Sequence, residues 1–384
     1  MRSKMDLSHI RSEIDRIDTE MVRLFEERMK LACGVAEYKK ANHLPVYDSG
    51  RERQVVNQLA EKIDPAFERY MRMLYTTMFA VSRSYQHQKI QSESELTKAL
   101  VEIIQQPPRP FPAKAVVACQ GVEGAYSQSA CEKMFQFPDI HYCNTFEDVF
   151  KAVDSGECEY GILPLENSNA GSVNQVYDLL SQYHFYIVRG ARVHVDHALM
   201  APKGASVENL TQVYSHEQAI AQCSKFLRSL EGVTVTPCQN TAYAAKTVAQ
   251  SGRTDHAAIA SERCGELYNL QILKRHIQNG QNNHTRFICI SKHLDIFPGA
   301  SKTSLLLTLP HRPGALYSVM SKFQALGLNL TKLESRTIPG SDFEFMFYFD
   351  VDASVYAPEF IQLLDELEQE AGSFQYLGSY IELP

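Results

Sequence analysis

Arg28 and Lys39 are the first residues whose type and spacing suggest chemistry. They stand eleven residues apart. On a helix that is three turns, so both point the same way about 16 Å apart, and two long cationic arms there could clamp a small dianion. Arg11 lies 17 residues before Arg28. That puts it roughly 25 Å off and about 100° around the helix, so it could join the same site only from a second chain. Asp48, Arg51 and Glu52 share one face by i, i+3, i+4 spacing, and Ser84 and Gln88 share one by i, i+4. Blander readings stay open: Ser49-x-x-Glu52 is a capping box, and Arg28 could pair with a carboxylate at a coiled-coil flank.

Further along, Gly161–Val173 carries Glu166-Asn167-Ser168 just after a strand that ends near Pro164. Polar clusters at strand C-termini are where α/β proteins place their sites, although helix capping would also explain these three. Tyr214-Ser215-His216-Glu217-Gln218, with Gln222, repeats the design. Asn282-Asn283-His284-Thr285-Arg286-Phe287 opens an apolar run, and Arg286 there is either functional or a surface ion pair. Gly121–Ser127, with Tyr126, is a Gly-rich strand-to-helix turn that offers N–H groups to an anion. It is not G-x-G-x-x-G, which argues against a nicotinamide-dependent enzyme. Near the end, Gly314, Ala315 and Leu316 open a helix, and Glu334, Ser335 and Arg336 lie on a strand that points Glu334 and Arg336 to one face. A plain fold with surface charges would explain those six equally.

These residues need elements to hold them. Ile10, Ile14, Ile17, Met21, Leu24, Arg28, Leu31 and Val35 step by 4-3-4-3-4-3-4, a heptad seam. One helix of about 36 residues, roughly 54 Å long, is expected over 6–41. So long a helix with an apolar seam wants a partner, most simply its own copy. A second helix is expected from Ser49 and a third from Pro65 to Ile104. Pro107-Pro108-Arg109-Pro110-Phe111-Pro112 then suits a stiff extended linker. Residues 113–293 mix short strands, helices and Gly-rich turns in an α/β pattern. Residues 302–384 read β-α-β-β-α-β, the ferredoxin-like order, with a turn at Pro339-Gly340. The run Phe343–Phe349 is too apolar for a free surface, and packing on a second subunit is expected.

The 384 residues carry a formal charge of −7 and no basic stripe, so a nucleic-acid scaffold is excluded. No signal-peptide h-region and no transmembrane span are read, and no membrane association is expected. Nine cysteines without a C-x-x-C pair are expected to be reduced thiols of a cytoplasmic protein, which disfavours zinc and redox chemistry.

The run Leu24–Arg28 through Lys39, with Pro45-Val46-Tyr47-Asp48 and Arg51-Glu52-Arg53, resembles the all-helical chorismate mutase family, and Ser84 and Gln88 match its last helix. The resemblance implies an intertwined dimer that rearranges chorismate to prephenate without a cofactor. It implies that Arg28 and a partner-chain Arg11 bind carboxylates, and that Lys39 and Gln88 donate to the ether oxygen. Arg51 and Ser84 would position a carboxylate, while Asp48 and Glu52 meet the hydroxyl. The P-x-E-N-S-x-x-G-x-V run, the Y-S-H run and the T-R-F triplet resemble prephenate dehydratase. That implies two α/β lobes, periplasmic-binding-protein-like, and conversion of prephenate to phenylpyruvate. Thr285 and Arg286 would form the core of the site with Glu166 and Asn167. Ser168, Ser215, Gln222 and Tyr126 would bind substrate.

The G-A-L and E-S-R strings resemble an ACT regulatory domain. They imply that phenylalanine binds Gly314, Ala315, Leu316, Glu334, Ser335 and Arg336 at a dimer interface as feedback inhibitor. The sequence departs from these families at Val122, Ala125, Glu217 and Asn279 and at Tyr317 and Thr337. The expected order is therefore mutase over 1–104, linker over 105–112, dehydratase over 113–293 and regulator over 302–384, in a homodimer or higher homo-oligomer. A two-lobed ligand receptor and an enzyme with one working activity are the competing readings.

Overall fold

The computed structural model describes residues 7–42, 44, 48–90, 94–280, 282–338 and 345–384, the side chains of 49 and 87–90 excepted. Pro45, Val46, Tyr47, Pro339 and Gly340 lie outside the described residues. The chain divides into two compact units. One holds Met1–Leu100, Leu309–Gly327 and Pro358–Ala371; the other holds Val101–Thr308, Leu328–Ala357 and Gly372–Pro384.

The first unit is helical. Helix α1 spans Leu7–Ala41 and buries only Ala32 and Ala36. Ile14, Ile17, Met21 and Leu24 of the heptad seam stay about half exposed within the chain. Helix α2 (Ser49–Ala60) is capped by Asp48, which accepts from the Arg51 N–H at 2.9 Å, so the expected Ser49 cap is displaced by one residue. The expected third helix is two: α3 (Glu68–Ile90) and α4 (Glu95–Gln105). Ser94 starts the latter, its Oγ accepting from the Thr97 N–H.

In the second unit the strand–helix alternation runs β1 (Lys114–Gln120), α5 (Tyr126–Met134), β2 (Phe137–Cys143), α6 (Phe146–Asp154), β3 (Tyr160–Asn167), β4 (Gly171–Ser172), α7 (Asn174–Tyr183) and β5 (Tyr186–His194). A second lobe follows with β6 (Ala198–Ala201), β7 (Gln212–His216), α8 (Glu217–Gln222), α9 (Ser224–Leu227), β8 (Thr234–Cys238), α10 (Thr241–Ser251), β9 (His256–Ala260), α11 (Glu262–Leu267) and β10 (Gln271–Lys274). Strand β11 (His284–Ser291) returns to the first lobe and lies antiparallel between β3 and β5. The chain thus crosses between the lobes twice, a two-lobed α/β design. The linker is pinned rather than free: Phe111 packs on Phe135 and Phe297, with the Arg189 guanidinium 4.2 Å from its ring.

The last elements are β12 (Lys302–Thr308), α12 (Ala315–Ala325), β13 (Asn329–Thr337), β14 (Phe345–Asp352), α13 (Pro358–Glu370), β15 (Ser373–Tyr380) and β16 (Glu382–Leu383). Their sheet runs β13-β14-β12-β15, the ferredoxin-like strand order, while β16 joins the first lobe beside β5. Strand β14, the described part of that apolar run, buries Met346, Tyr348 and Phe349 within its own chain, while Phe345 stays 37% exposed. Tyr348 meets Tyr177 edge-to-face at 4.8 Å, in one core with Leu163, Phe150 and Tyr380. Gly378 makes the close approach possible, since a Cβ there would collide with the Ile187 carbonyl oxygen.

Candidate functional site

Two cavities gather nine of the candidate residues. The helical unit holds one of about 360 Å³, lined by Arg28, Lys39, Asp48, Arg51, Glu52, Ser82, Arg83 and Gln86 over an apolar floor that includes Val35, Tyr75 and Phe79. Arg28 lies 5.3 Å from the Phe79 ring, and its Nη1 is buried without a hydrogen-bond partner among the described residues. Glu52 is ion-paired with Arg83. The cavity is therefore strongly cationic, with one guanidinium nitrogen left for an incoming anion.

The expected Ser84 is displaced here. Ser84 does not line this cavity, and the Gln88 side chain lies outside the described residues. Ser82 and Gln86 line it instead, both buried, with Gln86 Nε2 donating to Ser82 Oγ at 3.1 Å. Two residues on a helix are about 200° of rotation, so Ser84 faces another side. Arg11 is exposed and stands outside the cavity of its own chain, as the spacing required.

The second cavity, about 290 Å³, lies between the α/β lobes. Tyr126 and Ser127 reach it from the start of α5, Asn167 from the end of β3, Thr285 and Phe287 from β11, and Gln222 from the end of α8. Val195 and His197, from the first crossing, join them. Among the described residues, no carboxylate, lysine or arginine side chain lines it. An anion there meets peptide N–H groups instead. Helix α5 begins at Ala125 without a side-chain cap, so its first N–H groups face the cleft.

A continuous amide network orders the interior. Asn167 Nδ2 donates to Thr285 Oγ1 at 2.9 Å and to Asn283 Oδ1 at 2.8 Å. Asn283 donates to Gln222 Oε1 at 3.0 Å, and Gln222 donates to Asn167 Oδ1 at 3.3 Å. His197 Nε2 lies 3.0 Å from Gln222 Oε1. Because Thr285 already accepts from Asn167, its own proton is left for a ligand. Burial pulls the His197 pKa below its ordinary value, and likewise that of His216.

Four expected residues lie elsewhere. Arg286 alternates with Thr285 and turns away from the cavity. It is 6% exposed and ion-paired with Asp350, with Glu382 at 2.5 Å and with Glu166 at 3.2 Å, and it donates to Tyr380 Oη at 2.7 Å. It is thus neither a cavity group nor a surface pair. Glu166 shares that side and meets Lys332 at 2.5 Å. Burial would raise its pKa, but Lys332 and Arg286 outweigh it and hold the carboxyl below the usual range, so it is ionised rather than a proton donor. Ser215 is fully buried and donates to the Ile259 carbonyl inside the second lobe. Ser168 ties loops together, donating to the Asn282 carbonyl and accepting from the His284 N–H. Asn167 does not cap a helix; it accepts from the Asn169 and Ala170 N–H groups in a turn.

Glu334 and Arg336 do share a face of β13. Glu334 accepts from Ser172 Oγ, and Arg336 makes a two-pronged contact with Asp178 at 2.9 Å. Gly314, with positive φ, precedes Ala315 and Leu316 in the first turn of α12. Ser335 lies between the two ion-paired residues on β13. Outside the cavities, Asp196, Glu262 and His276 bring their ligand atoms within 4.8 Å. His276 already bonds Asp196, and Arg275 donates to Glu262, so these groups are occupied.

His197, Asn283, Ser82 and Gln86 escaped the sequence reading. Asn283 carried a signal, since period 2 puts it on the face of Thr285. His197, a lone histidine between strands, carried none.

The model of chorismate mutase type II matches residues 10–87, and that of prephenate dehydratase matches 117–295. A bifunctional chorismate mutase/prephenate dehydratase of Enterobacter agglomerans is 32% identical over 388 residues, covering 97% of this chain and 95% of that protein. Among solved structures, a prephenate dehydratase of Arthrobacter aurescens in complex with L-Phe superposes with a TM-score of 0.63 at 25% identity, covering 69% of this chain and 89% of that one. A protein described as a quorum quenching acylase gives 0.64 at 33% identity, covering 70% and 98%. The helical unit and the two-lobed unit thus define a chain that joins a mutase to a dehydratase. It belongs to the bifunctional chorismate mutase/prephenate dehydratase family and has both enzyme activities. No helix among the described residues is long and apolar enough to cross a membrane.

Proposed function

We propose that the chain, in the cytoplasm, rearranges chorismate to prephenate in the helical cavity, dehydrates and decarboxylates prephenate to phenylpyruvate in the interlobe cavity, and is inhibited by phenylalanine. One observation carries the division of labour: a cationic cavity with an unpartnered guanidinium nitrogen in one unit, and an uncharged, amide-ordered cavity in the other.

The first reaction moves no proton and forms no bond to protein, so fixed donors suffice. Arg28 binds a carboxylate together with Arg11 of the partner subunit. Lys39 and Gln86 donate to the ether oxygen as the C–O bond breaks. Arg51 and Ser82 position the second carboxylate, and Asp48 and Glu52 face the hydroxyl. The half-exposed seam of α1 supports a second copy, because burying Ile14, Ile17, Met21 and Leu24 would contribute roughly 1 kcal/mol or more each.

In the second reaction a hydroxyl and a carboxylate leave the ring together. Thr285 donates toward the hydroxyl, oriented by Asn167. The α5 N–H groups, that of Tyr126 among them, hold a carboxylate, and Gln222 closes the site from the other lobe. The absence of a neighbouring cation leaves the departing carboxylate un-neutralised, which favours its loss as CO2.

Phenylalanine would act at the C-terminal elements, through Gly314, Ala315 and Leu316 on α12 and Glu334, Ser335 and Arg336 on β13. Product analysis from chorismate, with and without phenylalanine, tests the whole reading. Prephenate that accumulates without phenylpyruvate refutes the second step, and output indifferent to phenylalanine refutes the third.

A further inference from the structure

Thr285 pairs with Asn167 and Arg286 pairs with Glu166, in register on adjacent strands. The first pair lines the interlobe cavity, and the second is gripped from the C-terminal sheet. Asp350 of β14 is fully buried and ion-paired with Arg286, and Ser304 Oγ donates to the same carboxylate. Lys332 of β13 bonds Glu166 at 2.5 Å and Ser172 at 3.1 Å. Lys332 also lies 3.7 Å from Glu334, next to the Arg336–Asp178 pair.

We propose that Asp350 and Lys332 are positioning residues that couple the C-terminal sheet to the dehydratase cavity, holding Arg286 and Glu166 and, through the adjoining residues, setting Thr285 and Asn167. The inference rests on the reading that phenylalanine acts at the C-terminal elements. An amino acid brings one ammonium and one carboxylate. At β13 these compete with Lys332 for Glu334 and with Asp178 for Arg336. The first exchange withdraws Glu334 from Lys332, the residue that holds Glu166 under β3 and β11. A buried ion cluster has few acceptable arrangements, so losing one contact favours a discrete shift over a graded one. Glu166 and Arg286 are each one position from a residue that lines the cavity, Asn167 and Thr285, so the shift need not travel far.

The test uses the full chain with Lys332→Met and, separately, Asp350→Asn. Prephenate turnover is measured against phenylalanine concentration, and phenylalanine binding is measured by calorimetry. Mutase turnover and near-ultraviolet circular dichroism report folding. The expected result is phenylalanine affinity no weaker than the parent's, tighter in Lys332→Met because Glu334 is freed, with its effect on prephenate turnover reduced about tenfold, inside the usual range of coupling between sites. Reciprocity adds a second readout: phenylpyruvate should change phenylalanine affinity in the parent and not in the variants. Variants that bind phenylalanine and are inhibited like the parent overturn the proposal. A parent that phenylalanine does not inhibit overturns the regulatory reading itself. Should Asp350→Asn lose its fold, Lys332→Met carries the test, because it leaves the Arg286–Asp350 pair in place.

Discussion

Thr285 and Arg286 stand back to back on one strand: the hydroxyl faces the interlobe cavity, and the guanidinium is sealed against Asp350, Glu382 and Tyr380. Burial works against the arginine's charge, yet the Asp350 carboxylate beside it keeps its pKa above the ordinary value. Substitution should therefore separate chemistry from stability. Thr285→Ala should lower prephenate turnover by about 10²-fold or more, as for a lost transition-state donor, with melting temperature and mutase turnover held. Arg286→Met, by stranding buried carboxylates, should cost about 3–5 kcal/mol of stability, measured by denaturant titration. Equal melting temperatures for the two variants would refute the assignment.

Gln86 and Gln88 offer the cleanest contrast in the helical unit. Gln86→Ala should reduce mutase kcat by about 10²-fold, the loss of one oxyanion-type donor, while Gln88→Ala stays near the parent. The reverse order in steady-state kinetics would return the site to Ser84 and Gln88.

Arg28 has a buried nitrogen with no hydrogen-bond partner among the described residues. An unsatisfied buried charge costs stability, and sites commonly trade stability for function. Arg28→Met should abolish mutase turnover and raise the melting temperature of the ligand-free protein. A lower melting temperature would show that the guanidinium is structural.

His197 and His216 both titrate below their ordinary value because burial removes water from the charged ring. The unfolded chain then binds protons near pH 6.5 that the folded chain refuses. Stability is full above about pH 6.5 and is lost as pH falls toward the depressed folded values. Melting temperature should drop between about pH 7.5 and 5.5, and His197→Gln should shrink the drop. A flat parent profile would contradict the burial of these rings.

Much of this was legible from local pattern. The heptad seam gave α1 nearly to the residue, and the T-R-F and E-N-S strings contain three residues of the interlobe cavity, Thr285, Phe287 and Asn167. What failed was phase and depth. Ser82-Arg83-Ser84-Tyr85-Gln86-His87-Gln88 offers the same i, i+4 pair twice, two residues apart, and spacing alone cannot choose. Met71, Tyr75 and Phe79 choose it, because stepping on from them reaches Ser82 and Gln86. Alternation likewise separates Thr285 from Arg286 without saying which faces the cleft. That depends on Asp350, Tyr380 and Glu382, contributed from more than sixty positions away in the chain.

The contrast between the two linings reaches beyond mutagenesis. On the proposed function one cavity would grip its acid with guanidinium and ammonium groups on long arms, the other with peptide N–H groups and amides fixed by the fold. Raising the ionic strength from about 0.05 M to about 0.5 M screens partly exposed charges far more than enclosed dipoles. Mutase KM should climb several-fold over that range while dehydratase KM barely moves, so plain sodium chloride would tune the flow between two consecutive steps on a single polypeptide.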